Sequence, residues 1–271
     1  MTKLAIIITI IITIIITIIL TVFGLAILSL VCMLYKPPEW LICWVQKRYP
    51  TVLFHVPTDK KIVALTIDDG PSSHTRGIQR LLKAHGATAT FFLIGSHIPG
   101  REDLLRELLR DGHELANHAM FDEMSVRVPA AELTRQIETV ERQIAEIYTT
   151  TTTATADADV GARAVTRQQK QPRYFRPGSG FFTTKMLALL AQPHLNYRLI
   201  LGSVYPWDAQ IPWPRLNAWH ILSSLTPGAT IVVHDRAWTA PMLRIVLPEM
   251  TRRGWRVGTV TDLLGHSING G

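Results

Sequence analysis

Cysteine is scarce in the sequence: the 271 residues include two, Cys32 and Cys43, and both precede the part of the chain that has the composition of a globular domain. They therefore exclude a disulfide framework or a cysteine metal site within that part. No block of Lys and Arg and no basic stripe interleaved with aromatic residues is present, so the formal net charge of +7 does not indicate a nucleic-acid partner. The absence of an internal repeat excludes a solenoid.

Residues 4–35 carry no charged side chain. This run is longer than the roughly 20 residues that a helix needs to cross a bilayer core, and it predicts a transmembrane helix. A cleaved signal peptide is the alternative, but its apolar region normally has about 7 to 15 residues, and no small-residue cleavage site follows. We expect an uncleaved anchor over residues 1–36 and an interfacial linker over 37–51, where Trp40 and Trp44 suit the membrane boundary.

The orientation of the anchor follows from the basic residues that flank it. Lys3 precedes the apolar run, whereas Lys36, Lys47 and Arg48 follow it. An excess of basic residues marks the cytosolic side, so this count alone places the domain in the cytosol.

From about residue 62, short runs of β-branched and aromatic residues alternate with longer amphipathic stretches. This alternation predicts an α/β fold with a parallel sheet, for which a barrel is the natural closure. It is interrupted at 149–171, a segment rich in Thr, Ala and Asp and then polar, which we predict to be a disordered insertion because it has no apolar face to bury. The domain is expected over 52–265, with 266–271 as a tail.

Two adjacent carboxylates, Asp68 and Asp69, stand where an apolar strand ends and a Gly-Pro turn begins. Parallel barrels build their sites at that end of the strand. Adjacent like charges resist joint ionisation unless a cation stabilises them, so one carboxylate can bind a metal ion while the other acts as a base. An Asx turn or a helix cap is the structural alternative.

His118 and Asp122 are four residues apart, which places both side chains on one face if the chain turns helically there. A nitrogen and an oxygen at this spacing suit a metal ion, and Asp69 would make the site a three-ligand one. The alternative is a surface pair, which is how most isolated His-x3-Asp sequences occur.

Two further segments place polar residues after short strands. Arg176 precedes a Gly-Ser-Gly turn; an arginine stays charged and can orient a carboxylate, and such a turn can donate backbone N–H groups to a developing oxyanion. His234 ends an apolar strand, Asp208 is a possible partner, and a histidine can act as an acid near neutral pH. The alternatives are a surface ion pair for Arg176, a histidine satisfied within the fold for His234 and a core position for Trp207.

Together these segments resemble the NodB-homology polysaccharide deacetylases, carbohydrate esterase family four, over roughly residues 60–264. The resemblance implies a distorted (β/α) barrel. From the Thr-Ile-Asp-Asp-Gly-Pro segment it implies Asp68 as the catalytic base and Asp69 as a metal ligand. His118 matches the first histidine of the His-Ser-x-x-His motif, and Asp122 replaces the second. The implied ligands Asp69, His118 and Asp122 would hold a divalent ion, Zn²⁺ first, with Co²⁺ or another divalent ion as alternatives.

The other motifs of the family imply the remaining roles. The Arg-x-Pro-Tyr-Gly motif corresponds to the segment from Arg176, without its tyrosine, which implies that Arg176 orients the base and that the backbone N–H of Ser179 serves the oxyanion hole. The altered fourth motif, Tyr-Pro-Trp-Asp, leaves Asp208 as the partner of the acid. The fifth motif implies His234 as the general acid. Trp207 offers a surface on which a sugar ring can stack.

The activity that the resemblance implies is metal-dependent hydrolysis of the acetamide of a chitin-like polysaccharide or oligosaccharide that contains N-acetylglucosamine, with release of acetate. The expected partners are an N-acetylated glycan and the membrane, not nucleic acid, while the oligomeric state stays open. The resemblance also implies the usual location of this family's domains, outside the cytosol or in a secretory lumen. We adopt this location, although the count of basic residues opposes it. The other functions considered are a membrane-tethered carbohydrate-binding protein with lapsed catalysis and a hydrolase of a non-sugar amide or ester.

Overall fold

A computed structural model describes residues 3–156 and 171–267, and the chain forms two compact units, Met1–Leu41 and Ile42–Gly271. The first unit consists mainly of helix α1, Lys3–Tyr35. Its segment Ile6–Met33, with a mean hydropathy of 3.2, is the candidate membrane span among the described residues.

The threonines of α1 do not interrupt this helix. The hydroxyl groups of Thr13, Thr17 and Thr21 each donate a hydrogen bond of 2.8–2.9 Å to the backbone carbonyl four residues earlier. These polar groups are therefore satisfied within the helix, which an apolar surrounding requires.

The second unit is built on a parallel sheet in which short strands alternate with helices. Its described strands are β1 Val52–Leu53, β2 Ile62–Gly70, β3 Thr90–Leu93, β4 Glu114–Asn117, β5 Tyr174–Phe175, β6 Arg198–Ile200, β7 Thr230–His234 and β8 Arg256–Gly258. Neighbouring strands follow the order β1-β6-β5-β4-β3-β2-β7, and β8 pairs with the start of β2.

The remaining helices are α2 Glu39–Arg48, α3 Thr75–Ala84, α4 Glu102–Arg110, α5 Ala130–Ala156, α6 Thr184–Leu190, α7 Pro214–Ser223, α8 Thr239–Arg252 and α9 Val260–Leu264. The helices of the barrel have apolar residues at three- and four-residue spacing, as Ile78 and Leu82 in α3 show, and these side chains are buried in the core. Helices cover one face of β2, and inward-facing residues of the other strands, together with α9, cover the opposite face. All nine residues of β2 are therefore buried, and the strand begins with a nearly continuous apolar run.

The barrel is distorted because β6 and β7 do not pair along their length. The residues just after β6 close the gap: Val204 forms a parallel bridge with Ile231 of β7. Gly202 permits this approach, since a Cβ atom at that position would lie 2.3 Å from Cγ2 of Val232. The structure thus confirms the predicted distorted (β/α) barrel.

The structure differs from the predicted disordered insertion over 149–171 in the first residues of that segment, which are ordered in a helix. Helix α5 continues to Ala156, so residues 149–156 are helical. Thr149 and Thr151 donate their hydroxyls to carbonyls four residues back, which accommodates them in the helix despite their composition. The part of the predicted insertion over 157–170 lies outside the described residues.

Candidate active site

The parallel strands bring the candidate residues to one edge of the sheet. Asp68, near the end of β2, is the register partner of His234 at the end of β7. His118 follows β4 directly, and Arg176 follows β5. Because all these strands are parallel, the four residues meet at the carboxyl edge, where barrels place their sites.

Asp68 and Arg176 form a buried ion pair. Nη1 of Arg176 lies 2.5 Å from Oδ1 of Asp68 and 2.8 Å from the hydroxyl of Thr66. The same guanidinium donates through Nε to the carbonyl of Ile200 and stands over the ring of Phe92, 4.1 Å from its centroid. These contacts fix Arg176 through hydrogen bonds in the plane of the guanidinium and a ring on one face, so Asp68 has one orientation and a permanent countercharge.

Asp69 points away from its neighbour because its backbone is left-handed, with φ of 66°. Its Oδ1 lies 3.4 Å from Nε2 of His118, and its Oδ2 accepts a hydrogen bond of 2.6 Å from Nη2 of Arg236. Burial acts to raise the pKa of Asp69, but the hydrogen bond and charge of His118, together with further nearby cations, lower that pKa to about 2. Asp69 is therefore an anion at any pH near neutrality.

His118 is buried and held in one orientation. Its Nδ1 lies 2.7 Å from the carbonyl oxygen of Arg176, and since a carbonyl can only accept, Nδ1 carries a proton and Nε2 faces Asp69. Burial acts to lower the pKa of His118, but the hydrogen bond with Asp69 and the adjacent carboxylates outweigh it and raise the pKa.

His234 forms a second pair with Asp208, which is fully buried. Nδ1 of His234 lies 2.9 Å from Oδ1 of Asp208, and the backbone N–H of His234 donates to Oδ2. The indole of Trp238 donates to the backbone carbonyl of Asp208. Burial acts to lower the pKa of His234, but the hydrogen bond and charge of Asp208, with the other carboxylates of the site, raise it, so the imidazolium form is favoured.

The structure does not place Asp122 with Asp69 and His118, which corrects the predicted three-ligand set. The chain after β4 does not turn helically, because Ala119 is left-handed with φ of 64° and its N–H donates to the side chain of Asn117. Asp122 consequently lies exposed in the following loop. In the parts of the chain that the structure covers, no group of three His, Cys, Asp or Glu residues suited to a metal ion is found.

Ser179 and Trp207 are both left-handed residues of loops at the same edge, with φ of 68° and 62°. Ser179 is exposed between two glycines, and its predicted oxyanion role stays a prediction. The half-buried ring of Trp207 contacts the ring of Tyr205 edge-on at 5.2 Å, and Tyr205 stands 5.8 Å from the imidazole of His234. Aromatic rings thus line one side of the His234 imidazole.

Four residues near this edge were not predicted from the sequence. Arg236 follows the His-Asp segment at the end of β7, and a basic residue two positions after the candidate residue His234 was the available signal. The others are exposed aromatic residues in the loops after β4, β5 and β6: Phe121, Phe181 and Trp213, with 52%, 63% and 64% of their surface accessible. Large apolar side chains that remain exposed beside a site suggest contact with a ligand.

The residues present fit a divalent ion in part. Oδ1 of Asp69 and Nε2 of a neutral His118 are both acceptors only 3.4 Å apart, so a cation between them would satisfy both. The contact from Nδ1 of His118 to a backbone carbonyl is of the kind that orients a ligating histidine. Asp69 and His118 could thus contribute two ligands to such an ion, whereas Asp122 lies apart from them.

A family model described as polysaccharide deacetylase matches residues 55–156 of the chain. The chain is 31% identical over 180 residues to a chitooligosaccharide deacetylase of Rhizobium leguminosarum bv. trifolii, an alignment that covers 66% of this chain and 73% of the relative. It is 28% identical over 222 residues to a peptidoglycan-N-acetylglucosamine deacetylase of Bacillus cereus, with 79% and 93% of the two chains covered.

Among solved structures, a CE4 family pseudoenzyme from Bacillus anthracis superposes with a TM-score of 0.66 at 22% sequence identity, covering 80% of this chain and 69% of that one. At this level of identity the likeness concerns the fold.

Proposed function

The chain belongs to the NodB-homology polysaccharide deacetylases, carbohydrate esterase family four, and we propose that it hydrolyses the acetamide of N-acetylglucosamine units in a peptidoglycan- or chitin-like glycan, releasing acetate. One observation supports the proposal: Asp68, paired with Arg176 at 2.5 Å, and His234, paired with Asp208 at 2.9 Å, lie side by side on the paired strands β2 and β7. A positioned base and a positioned acid are the two groups that amide hydrolysis needs.

The base in this mechanism is Asp68. Arg176 holds its carboxylate through Oδ1, so Oδ2 remains to take a proton from the attacking water molecule. A divalent ion held by Asp69 and His118 would supply Lewis acidity, which polarises the acetamide carbonyl and acidifies water. The backbone N–H of Ser179 is proposed to donate to the oxyanion that develops.

The acid is His234. Because Nδ1 is bound to Asp208, the proton available to the departing amine is the one on Nε2. Asp208 favours the protonated ring and fixes its direction, so the acid is poised before the C–N bond breaks. Acetate and a free amine on the sugar are the products.

Acetate release by the purified full-length chain in detergent tests this function. The substrates are chito-oligosaccharides and N-acetylated peptidoglycan fragments, each with and without added Zn²⁺ or Co²⁺, and a panel of simple amides and esters covers the non-sugar alternative. Acetate release from the glycans that disappears in Asp68→Asn supports the proposal. Absence of release under all metal conditions, or turnover of simple esters alone, contradicts it.

A carbohydrate-binding protein with lapsed catalysis is the second candidate function. Two observations favour it: the exposed position of Asp122 and the contact of Arg236 with Asp69, which leave an incomplete set of metal ligands. Retained binding of chito-oligosaccharides without acetate release, whatever metal is added, would establish it.

Replacement of Asp208 is expected to shift the pH profile. In Asp208→Asn the charge that raises the pKa of His234 is lost, so that pKa falls. The acid is active only below its own pKa, and the alkaline limb of kcat/KM must therefore move to lower pH. A pH series of acetate release measures it; an alkaline limb that stays in place or moves upward would exclude His234 as the acid that Asp208 tunes.

Removal of an exposed aromatic ring is expected to weaken binding of long substrates. Trp213 lies in the loop after β6 and is 64% accessible, so Trp213→Ala should raise KM for a long oligosaccharide about threefold to tenfold, the value of one stacking contact. The matched control is Trp219→Ala on helix α7, whose indole is 56% accessible. Equal changes in the two variants, or a change in kcat alone, would contradict a role in substrate binding.

We propose that α1 retains the protein in a membrane, with the domain outside the cytosol or in a secretory lumen where such glycans occur. The apolar span and the family habit support this, and the three basic residues after the span oppose it. Protease treatment of intact cells, repeated after selective permeabilisation of the cell-surface membrane, distinguishes the orientations. An external domain is digested in intact cells, a cytosolic domain is digested only after permeabilisation, and a lumenal domain stays protected in both.

A further inference from the structure

We propose that Arg236 is a competing internal cation: its guanidinium holds Asp69 when no metal ion is bound, and a divalent ion has to displace it to use that carboxylate. The inference rests on Asp69 and His118 as the metal-holding pair of the proposed function. It adds a residue that controls how tightly this pair binds its ion.

The contact between Arg236 and Asp69 is close, and the arginine side chain is more exposed to solvent than the carboxylate. Nη2 of Arg236 lies 2.6 Å from Oδ2 of Asp69; the carboxylate is 6% accessible, whereas the arginine side chain is 32% accessible. The buried carboxylate has a fixed position, set by the left-handed backbone conformation of Asp69 near the end of β2. The guanidinium reaches it from the solvent side and is able to swing away.

The backbone that carries Arg236 is attached to the strand that carries Asp69. The N–H of Asp235 donates to the carbonyl of Asp68, and the carboxylate of Asp235 accepts hydrogen bonds from Ser72 in the turn after β2 and from Thr75 at the start of α3. Only the side chain of Arg236 therefore has to move for the carboxylate to be released. The fold thus keeps the backbone of Arg236 in place beside Asp69 whether or not the guanidinium contacts the carboxylate.

The electrostatic consequence has a definite sign. Asp69 offers Oδ1 towards His118 and Oδ2 to Arg236, so a divalent ion at Oδ1 meets a positive charge on the other side of the same carboxylate. Like charges at this distance repel, and part of the binding free energy of the ion is spent on moving the guanidinium into water. Removal of the charge at position 236 should consequently raise metal affinity.

The test is the dissociation constant of Zn²⁺, measured on the full-length chain in detergent by competition with a chromophoric chelator. Arg236→Gln is expected to bind Zn²⁺ at least about tenfold more tightly than the wild type, a difference of about 1.4 kcal/mol. Arg236→Lys keeps the charge and should stay within about threefold of the wild type. The matched control, Arg252→Gln, removes an arginine that pairs with Glu249 at 2.6 Å at the far end of α8, and it should change nothing.

Several results would overturn the inference. Equal or weaker Zn²⁺ affinity in Arg236→Gln, including no measurable binding by either chain, contradicts competition, and so does an equal gain in Arg236→Lys. His118→Ala added to Arg236→Gln must abolish the gain, or the ion binds elsewhere. Acetate release is scored separately: a wild type that releases none, while Arg236→Gln gains affinity, contradicts the proposed function and leaves this inference standing.

Discussion

Asp68→Asn is expected to lower kcat for acetate release about a thousandfold while leaving Zn²⁺ binding within about twofold of the wild type. The amide keeps the size of the side chain and can still accept from Arg176, but it cannot take a proton from water. Loss of a positioned general base typically costs a factor of 10² to 10⁴. Metal binding is retained because Asp69 and His118, not Asp68, face each other at the candidate metal site.

Comparison with His118→Ala separates loss of the base from loss of metal binding. It removes one of the two atoms assigned to the ion, so it should lower both Zn²⁺ affinity and turnover, whereas Asp68→Asn lowers turnover alone. Equal residual activity and equal metal binding in the two variants would contradict the separate roles assigned to Asp68 and His118. A fall in kcat of less than tenfold in Asp68→Asn would assign the base to another residue.

The parts of this site that the sequence predicted are those set by strand ends. Asp68, Arg176 and His234 each follow an apolar run that a parallel sheet requires to be a strand, and parallel strands align their carboxyl ends. The pairing of Asp208 with His234 was predicted from the Tyr-Pro-Trp-Asp segment, which the resemblance identified as an altered fourth motif of the family. Local patterns were sufficient where the backbone stays regular.

The errors arose where long-range contacts set the backbone. The expected helical turn from His118 to Asp122 depends on Ala119, which is left-handed because its carbonyl accepts from the N–H of Gly95 and its N–H donates to Asn117. A side-chain spacing of four residues cannot reveal that. The same holds for Arg236, whose partner is 167 residues away in the chain, and for the end of α5, where hydroxyl groups bonded within the helix offset the polar composition.

Arg176→Met is expected to destabilise the barrel by about 3 to 5 kcal/mol, the usual cost of breaking a buried ion pair by removing one partner. Arg176 is 2% accessible and donates to Asp68, Thr66 and the carbonyl of Ile200. Methionine fills much of the volume, but it leaves the carboxylate of Asp68 buried without a countercharge. For a barrel of this size we expect a fall in Tm of about 10 °C or more, measured by thermal unfolding of the full-length chain in detergent.

A second substitution separates the charge from the packing. In Arg176→Met/Asp68→Asn the unpaired buried charge is gone, so most of the lost stability should return although activity stays abolished. The exposed ion pair of Arg76 with Glu107, at 2.7 Å, supplies the control, and Arg76→Met should leave Tm nearly unchanged. If the double variant is as unstable as Arg176→Met, the arginine acts through its contacts with Thr66 and Ile200. Its role would then be to hold strand ends together, and the orientation of Asp68 would follow from the backbone alone.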